Sequence, residues 1–276
     1  GAIGPPKPGE DDDDLRTQLA IYVIEDLKPF VLLVHIVYMD ATEHHYGPKS
    51  AQAASSLEGC DKRIGAMIAA LSKAGLAGNT DVFIVSDHGF LTVHRVIHPN
   101  TLLVRAGLLT AGAKGNITGG KIDTVSNGGS FFIYWPPKGD LRTAVKSALK
   151  PLINQGLLWG VLGPQALREL GADPHAQLAL EAPRGAMFDG AATGPLVSSR
   201  PEGGSHGYLP FRQGLAASFI AWGPDIKTSV DLHRIRMTSV GPTILKAMGI
   251  NDPDFGGGPA LTGLWRQARP VRIRRR

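Results

Sequence analysis

Cysteine is nearly absent from this sequence of 276 residues, in which Cys60 is the only one. A single thiol excludes both an internal disulfide framework and a zinc cluster built from cysteines. Long hydrophobic runs are also absent: none reaches the ~18 residues of a membrane span, and no signal peptide is visible. Because the chain begins with Gly1 rather than Met, the missing signal peptide says nothing about export.

A basic surface of the kind that binds nucleic acid is missing as well. The formal net charge is +5, but residues 262–276 carry six arginines and no acid, which leaves −1 for the rest of the chain. Such a terminal run predicts a solvated basic tail rather than a phosphate-binding face. The acidic run Glu10–Asp14 is its counterpart near the other end, and we interpret it as a solvated loop because consecutive carboxylates repel one another.

What the sequence does contain is enough apolar residue, 43%, to bury a core. There is no internal repeat and no clear linker, so we expect an acidic, Gly/Pro-rich lead with a short helix over 1–27, one main domain over 28–261 and the basic tail over 262–276. Alternating strand and helix patterns predict an α/β architecture.

The first strands and helices are the most legible part of the pattern. Two buried strands, Phe30–Val37 and Asp81–Val85, are separated by a helix over 50–74, which predicts a right-handed βαβ unit with parallel strands. The other predicted elements are a helix over 15–27, a hairpin or excursion over 107–129, strands at Ser130–Trp135, Gln177–Leu180 and Ala216–Trp222, and helices at Asp140–Asn154, Pro164–Leu170 and Ser239–Met248.

Carboxylates and imidazoles follow buried strands at three places. Asp40 and His44 come four residues apart after the first strand, and Asp87-His88 follows the second. His206 lies in a glycine-rich loop. Taken singly, such residues are usually helix caps or hydrogen-bonded histidines. Together they suit zinc, and two clusters at neighbouring strand ends would hold two cations at the spacing used for displacement at phosphorus.

The order and spacing of these motifs resemble a known family. The patterns D-x-x-x-H-x-Y-G-P from Asp40, S-D-H-G from Ser86 and H-G-Y from His206, followed by Ala216–Lys227 and Arg236–Ile250, resemble the type I phosphodiesterase/nucleotide pyrophosphatase branch of the alkaline phosphatase superfamily. The likeness runs from Lys28 to Leu261. It implies a mostly parallel central sheet flanked by helices on both faces.

The resemblance also implies roles for single residues. Asp40, His44 and His206 would ligate one Zn²⁺, and Asp87 and His88 would ligate a second. His45 is interpreted as a neighbour of the ligands, and Glu43 stands where the family commonly has glycine. Four other histidines match no ligand position and are interpreted as structural: His94, His98, His175 and His233.

The family's nucleophilic Thr or Ser and one further aspartate ligand have no match in this sequence. In the family both lie well before the first motif, but only 39 residues precede Asp40. We therefore expect the chain to be the C-terminal portion of a longer enzyme. It would lack its N-terminal strands, expose an unpaired sheet edge and part of its core, and be nearly inactive alone.

The function that the resemblance implies is hydrolysis of phosphodiester or phosphoanhydride bonds in nucleotides or similar small phosphoesters. Two alternatives stay open: a superfamily hydrolase of phosphomonoesters, phosphonates or sulfate esters, and a non-catalytic metal-binding remnant. The missing cysteine nucleophile motif counts against a sulfatase. The resemblance favours a periplasmic or extracellular location, and the sequence carries no signal for an oligomeric state.

Overall fold

The computed structural model describes residues 9–136, 141–250 and 255–266 and shows a mixed α/β protein. The chain forms two compact units, each built from separate segments. The first unit comprises residues 1–38, 57–89 and 217–276, and the second comprises 39–56 and 90–216.

Seven α-helices and eleven strands are present within the described ranges. The helices are α1 Glu10–Tyr22, which continues into a π-helical turn at Val23–Leu27, α2 Tyr38–Tyr46, α3 Ala51–Lys73, α4 Pro99–Arg105, α5 Arg142–Asn154, α6 Pro164–Glu169 and α7 Val240–Ala247. The strands are β1 Val82–Val85, β2 Leu91–Ile97, β3 Leu109–Ala111, β4 Ile117–Gly120, β5 Asp123–Asn127, β6 Ser130–Tyr134, β7 Gly160–Leu162, β8 Leu178–Glu181, β9 Gly185–Phe188, β10 Val197–Ser205 and β11 Phe219–Trp222. In the part of the chain that is described, no helix has both the length and the apolar character needed to cross a bilayer.

The sheet of the first unit is an antiparallel pair, β1 with β11, in which Phe83 lies opposite Ala221. Helix α3 and strand β1 confirm two parts of the predicted βαβ unit, but the third part was wrong. Residues Phe30–Val37 form no strand. Because β1 pairs antiparallel with β11, the predicted parallel pairing across α3 is absent from the described residues.

The Phe30–Val37 segment is apolar but exposed. Phe30 and Leu33 are 77% and 85% exposed. A strand needs the backbone groups of a neighbouring strand, and no described strand pairs with this segment. The apolar and β-branched composition therefore identified a segment suited to a sheet. It does not show whether a neighbouring strand is present to pair with that segment.

The acidic run is the first turn of α1, so the predicted loop at Glu10–Asp14 was wrong. Carboxylates in the first turn of a helix are stabilised by the exposed N–H groups and the positive end of the helix dipole. Asp13 differs from the other four acids because it is completely buried. Arg16 Nη1 donates to its Oδ1 over 2.7 Å.

The buried Asp13 carboxylate binds the backbone where α2 begins. Oδ1 accepts a hydrogen bond from Val37 N at 3.0 Å, and Oδ2 accepts one from Tyr38 N at 2.8 Å. These N–H groups at a helix start have no partner within their own helix. Asp13 therefore satisfies them from α1 and holds α1 to Val37 and Tyr38 within the first unit.

The second unit contains a three-stranded sheet β10-β2-β9, a four-stranded sheet β5-β6-β8-β7 and the hairpin β3-β4. The range 107–129, predicted as a hairpin or excursion, contains the hairpin β3-β4, and its strand β5 pairs with β6. The predicted β6, α5, α6 and β8 are confirmed within a few residues. Among all described strand pairs, β2-β9 is parallel and the other six are antiparallel. The predicted α/β class holds, but mainly parallel pairing does not occur in the described residues.

Aromatic and branched aliphatic side chains fill the core of the second unit. Phe131 of β6 and Phe188 of β9 are fully buried and meet edge to face, with ring centroids 5.9 Å apart. Helix α5 adds Val145 and Leu152 to the same cluster. This core fixes the ends of β9 and β10 and the loops that follow them.

Glu181 is an acid inside this apolar region, only 1% exposed at the end of β8. Its carboxylate accepts hydrogen bonds from Leu209 N at 3.1 Å and from Arg212 Nη1 at 3.2 Å. The Arg212 guanidinium lies 5.0 Å above the Trp159 ring. Burial nevertheless raises the pKa of Glu181 to about 7, because desolvation of the carboxylate outweighs these two favourable contacts.

We expect Asp13→Ala to lower the free energy of unfolding by about 3 kcal/mol. The substitution leaves the partly buried N–H groups of Val37 and Tyr38 without the carboxylate that accepts their hydrogen bonds. Asp11→Ala is the matched control: it removes an exposed carboxylate from the same turn, and the expected loss is about 0.5 kcal/mol. Urea denaturation followed by circular dichroism measures both. Equal losses in the two variants would show that burial of Asp13 has no special role.

The raised pKa of Glu181 predicts a pH-dependent stability. The folded protein holds this proton up to about pH 7, whereas the unfolded chain releases it near 4.5. The free energy of unfolding should therefore fall by about 3 kcal/mol as the pH rises from 4.5 through 7. Glu181→Gln, which keeps an oxygen for Leu209 N, should lose that part of the slope, and the exposed control Glu169→Gln should retain it. Identical slopes in urea titrations at pH 5–8 would contradict the assignment.

Candidate metal centre

The first motif lies on α2, which places its chemistry by helical spacing. Asp40 and His44 are one turn apart and share a face of the helix. The helix ends at Gly47, whose φ of 85° lies in the left-handed region and whose N–H donates to Glu43 O at 2.9 Å. Ser50 then caps α3, because its Oγ accepts a hydrogen bond from Ala53 N at 3.0 Å.

His206 follows directly after β10, in a loop fixed from both sides. Its carbonyl accepts a hydrogen bond from Gly129 N at 2.8 Å. Gly207 has a φ of 77°, and a side chain there would collide with Asn127 O. The buried Tyr208 donates its hydroxyl to Ala186 O at 2.7 Å. In the H-G-Y motif, the glycine therefore permits the turn and the tyrosine anchors it, so the histidine is the candidate ligand among the three residues.

Two glycines let β10 pass directly against the end of α2. A Cβ on Gly203 would lie 2.6 Å from His44 O, and one on Gly204 would collide with Glu43 O. Arg200 Nη2 strengthens the junction by donating to His44 O at 3.1 Å. The Gly203-Gly204 pair is visible in the sequence as a signal of close backbone approach, but nothing in the sequence marks Arg200.

The structure brings Asp40, His44 and His206 together within the second unit. Asp40 Oδ1 lies 3.7 Å from His44 Nε2 and 3.9 Å from His206 Nε2, and the two imidazole rings are 4.9 Å apart. His44 Nδ1 lies 3.2 Å from Gly204 O. A carbonyl can only accept, so Nδ1 carries the proton and Nε2 keeps its lone pair, as a metal ligand requires.

These three side chains fit a zinc ion. Zinc–ligand bonds of about 2.0–2.2 Å in tetrahedral geometry place ligand atoms about 3.3–3.6 Å apart. The two separations from Asp40 Oδ1 exceed that by up to a few tenths of an ångström, which small side-chain rotations can close. The side chains are 27–41% exposed, so a fourth position is open to solvent or substrate. Phe90 forms an apolar wall, its ring edge-on to His44 at 4.8 Å.

His45 stands beside this cluster but is engaged differently. It is exposed, and its ring packs edge-on against Tyr46 with centroids 4.4 Å apart. Glu43, the residue that replaces the family's common glycine, still presents its backbone oxygen to Gly204. The helix therefore keeps its close approach to β10 despite that replacement.

Asp87 and His88 lie together in the first unit, after β1. Ser86 extends the β1-β11 pairing, since its N–H donates to Ser218 O at 3.1 Å and its Oγ accepts from Ser218 N at 2.8 Å. His88 Nε2 lies 3.5 Å from Asp87 Oδ2. The Asp87 side chain is 83% exposed and that of His88 is 25% exposed. The predicted pairing of these two residues at the end of a strand is thus present.

The chain is similar in structure to ectonucleotide pyrophosphatase/phosphodiesterase 5. For the human protein the TM-score is 0.67 at 20% identity, and for an inactive threonine-to-alanine variant of the murine protein in complex with AMP it is 0.63 at 17% identity. Each match covers 92% of this chain and 63% of the other chain. At such identities the similarity establishes the fold, and the chain spans less than two thirds of these proteins.

Sequence comparison gives a distant relative and a family. Steryl-sulfatase from Rattus norvegicus is 26% identical over 210 residues, covering 73% of this chain and 32% of that protein. The family model for type I phosphodiesterase/nucleotide pyrophosphatase matches residues 10–154, more than half of the chain. That range includes four of the five predicted ligands, all except His206. The chain therefore belongs to the type I phosphodiesterase/nucleotide pyrophosphatase family, within the alkaline phosphatase superfamily, as its motifs predict.

Proposed function

We propose that this chain is the metal-binding portion of a zinc-dependent hydrolase of phosphodiester or phosphoanhydride bonds in nucleotides or similar small phosphoesters. The observation that carries the proposal is the convergence of Asp40, His44 and His206, each a zinc-type ligand, around an open position. Family membership supports the substrate class. We extend the proposal to a periplasmic or extracellular location on the family resemblance alone.

The proposed ligands differ in the charge that they bring to the metal. The Asp40 carboxylate supplies one negative charge, and His44 and His206 bind as neutral imidazoles through Nε2. Asp87 and His88 are proposed as ligands of a second Zn²⁺. Bound zinc would supply Lewis-acid stabilisation of the charge that develops on phosphoryl and leaving-group oxygens.

The chain's own residues also prepare the site before any metal binds. The hydrogen bond from His44 Nδ1 to Gly204 O fixes the tautomer of the neutral ring, in which Nε2 is the atom that would bind an ion. Arg200 and the Gly203-Gly204 pair hold the end of α2 in register with β10. Asp40 Oδ1 is thereby kept within about 4 Å of His44 Nε2 and of His206 Nε2.

The attacking hydroxyl is proposed to come from a part of the family fold outside these 276 residues. Thr42 lies between two ligands but is only 4% exposed, which makes it unsuited to attack a substrate. The inactive murine relative carries alanine in place of a threonine and binds AMP, which supports a threonine nucleophile and a nucleotide substrate. A metal-bound hydroxyl group is a common way to activate such a nucleophile.

Sulfate-ester hydrolysis is the second candidate, favoured by the rat steryl-sulfatase match. Cys60 is the one residue that could supply a cysteine-derived nucleophile, and it lies within α3. Burial and the nearby Asp13 carboxylate raise the pKa of its thiol. Because the thiolate is the reactive form, this position argues against such a role and leaves phosphoesters as the preferred substrates.

Zinc affinity tests the ligand assignment. We expect His206→Ala to weaken zinc binding at least about 100-fold, since it removes a direct ligand and not only a supporting group. His45→Ala is the matched control, because it removes an exposed imidazole one residue from His44 and should leave the affinity unchanged. Competition with a chromophoric chelator measures both, and circular dichroism checks folding. Unchanged affinity in His206→Ala, or equal loss in His45→Ala, would overturn the assignment.

Turnover tests the substrate class and the missing nucleophile together. We expect the 276-residue chain with zinc to release no nitrophenol from bis(p-nitrophenyl) phosphate above the zinc-only rate, because it lacks the attacking hydroxyl. The full-length gene product should hydrolyse this diester faster than p-nitrophenyl phosphate or p-nitrophenyl sulfate. Full turnover by the 276-residue chain would refute an external nucleophile, and a preference for the sulfate would favour the second candidate.

A further inference from the structure

A hydrogen-bond network in the second unit joins three side chains that the metal centre does not use: Ser198, His98 and Asp189. His98 Nε2 lies 2.8 Å from Ser198 Oγ, and His98 Nδ1 lies 2.6 Å from Asp189 Oδ1. The order hydroxyl, imidazole, carboxylate is the one by which a serine is activated as a nucleophile. These distances lie in the range of good hydrogen bonds.

The three-stranded sheet positions all three residues. His98 and Asp189 directly follow the neighbouring parallel strands β2 and β9, and Ser198 lies on β10, the other neighbour of β2. Backbone bonds fix the histidine and the aspartate, because His98 N donates to Leu196 O at 2.9 Å and Asp189 N donates to Ile97 O at 3.3 Å. His98 is separated from Asp189 by 91 positions and from Ser198 by 100, so only the strand order brings it to them.

The protons in this hydrogen-bond network can be assigned from donor and acceptor chemistry. A carboxylate oxygen accepts, so His98 Nδ1 carries the ring proton and donates it to Asp189. Nε2 then has a lone pair that accepts the hydrogen of Ser198 Oγ. Ala191 N donates to the same Asp189 oxygen at 3.0 Å and holds the carboxylate in place. This is the tautomer in which the imidazole can act as a general base toward the serine.

The hydrogen-bonded side chains differ in solvent exposure, and the serine is accessible, as a nucleophile must be. The His98 side chain is only 10% exposed, whereas the Asp189 side chain is 40% exposed. Ser198 is partly exposed, so a small reagent can reach its oxygen. Ser199, the next residue, is more exposed and has no side-chain hydrogen bond to a histidine among those described.

We propose that Ser198 is a second nucleophile of this protein, independent of metal and open to acylation by small activated esters. In the first step Ser198 Oγ bonds to the ester carbonyl carbon, and its proton passes to His98 Nε2. The bond from that carbon to the leaving oxygen then breaks, and the same proton passes to the departing alcohol. Water hydrolyses the acyl-serine by the reverse proton path, returning Ser198 as a free hydroxyl.

A purely structural role would use the same contacts, because the three side chains also tie β2, β9 and β10 together. The two interpretations differ in reactivity. A structural serine reacts as slowly as any other exposed serine, whereas a hydroxyl paired with a positioned general base gains a factor of about 10²–10⁴.

Labelling with a fluorophosphonate tests the proposal on the whole chain in EDTA, which keeps the zinc-based function out of the measurement. The Ser198 oxygen replaces fluoride at phosphorus, fluoride departs, and the serine proton is taken by His98. Peptide mass spectrometry should find the label on Ser198 in the wild-type protein. His98→Gln should slow labelling about 100-fold, and Ser199→Ala, the matched control, should label normally.

Two outcomes would overturn the proposal: no label on Ser198 beyond that on Ser199, or an unchanged labelling rate in a folded His98→Gln protein. If that variant does not fold, the wild-type map alone decides, because a structural serine gains no selective label. A burst of p-nitrophenol from p-nitrophenyl acetate, lost in Ser198→Ala, measures acylation separately. Because zinc is absent throughout, failure here leaves the proposed phosphoester hydrolysis untouched.

Discussion

The close approach of the α2 terminus to β10 is the constraint on which the candidate metal centre depends. The carbonyl oxygens of Glu43 and His44 lie where the side chains of residues 203 and 204 would otherwise be. Because both positions are glycine, the helix can rest directly on the strand. His44 then meets His206, which follows β10 by one residue, and Gly204 O also selects the tautomer of His44. Larger residues at 203 or 204 would move the two imidazoles apart without changing either ligand.

The two buried carboxyl groups, Asp13 and Glu181, differ in their hydrogen-bond partners and in their surroundings. Asp13 accepts hydrogen bonds from two backbone N–H groups at a helix start and from Arg16. Glu181 has Leu209 N and Arg212, but it lies in a strand surrounded by apolar core, and desolvation there raises its pKa to about 7. Helix starts concentrate unsatisfied donors, whereas strand interiors have already used theirs in the sheet. Of these two carboxyl groups, Glu181 is therefore the one whose neutral form is favoured by desolvation.

The sequence was sufficient for the local part of the candidate site and insufficient for its surroundings. Helical spacing of Asp40 and His44, and glycines around His206, are properties of short segments, and the structure keeps both. The acidic run was misjudged because repulsion among neighbours was considered without the helix start that offsets it. Phe30–Val37 was misjudged because strand formation depends on a partner that composition does not reveal. His98 was interpreted as structural because it matches no ligand position, and its partners Asp189 and Ser198 lie 91 and 100 positions away in the sequence.

Strand β10 gives the second unit two chemically different centres at its opposite ends. Near its start, Ser198 lies opposite Val96 of β2 and its hydroxyl bonds to His98, the residue after that strand. Just beyond the other end of β10, His206 lies near Asp40. Between them the register shifts from Ser199 to Gly203, a bulge that bends a strand and re-aims the side chains beyond it. One regular strand would impose a single alternation of faces on both ends. The bulge removes that coupling, so the orientation of His206 toward the metal ligands is set independently of the orientation of Ser198 toward His98.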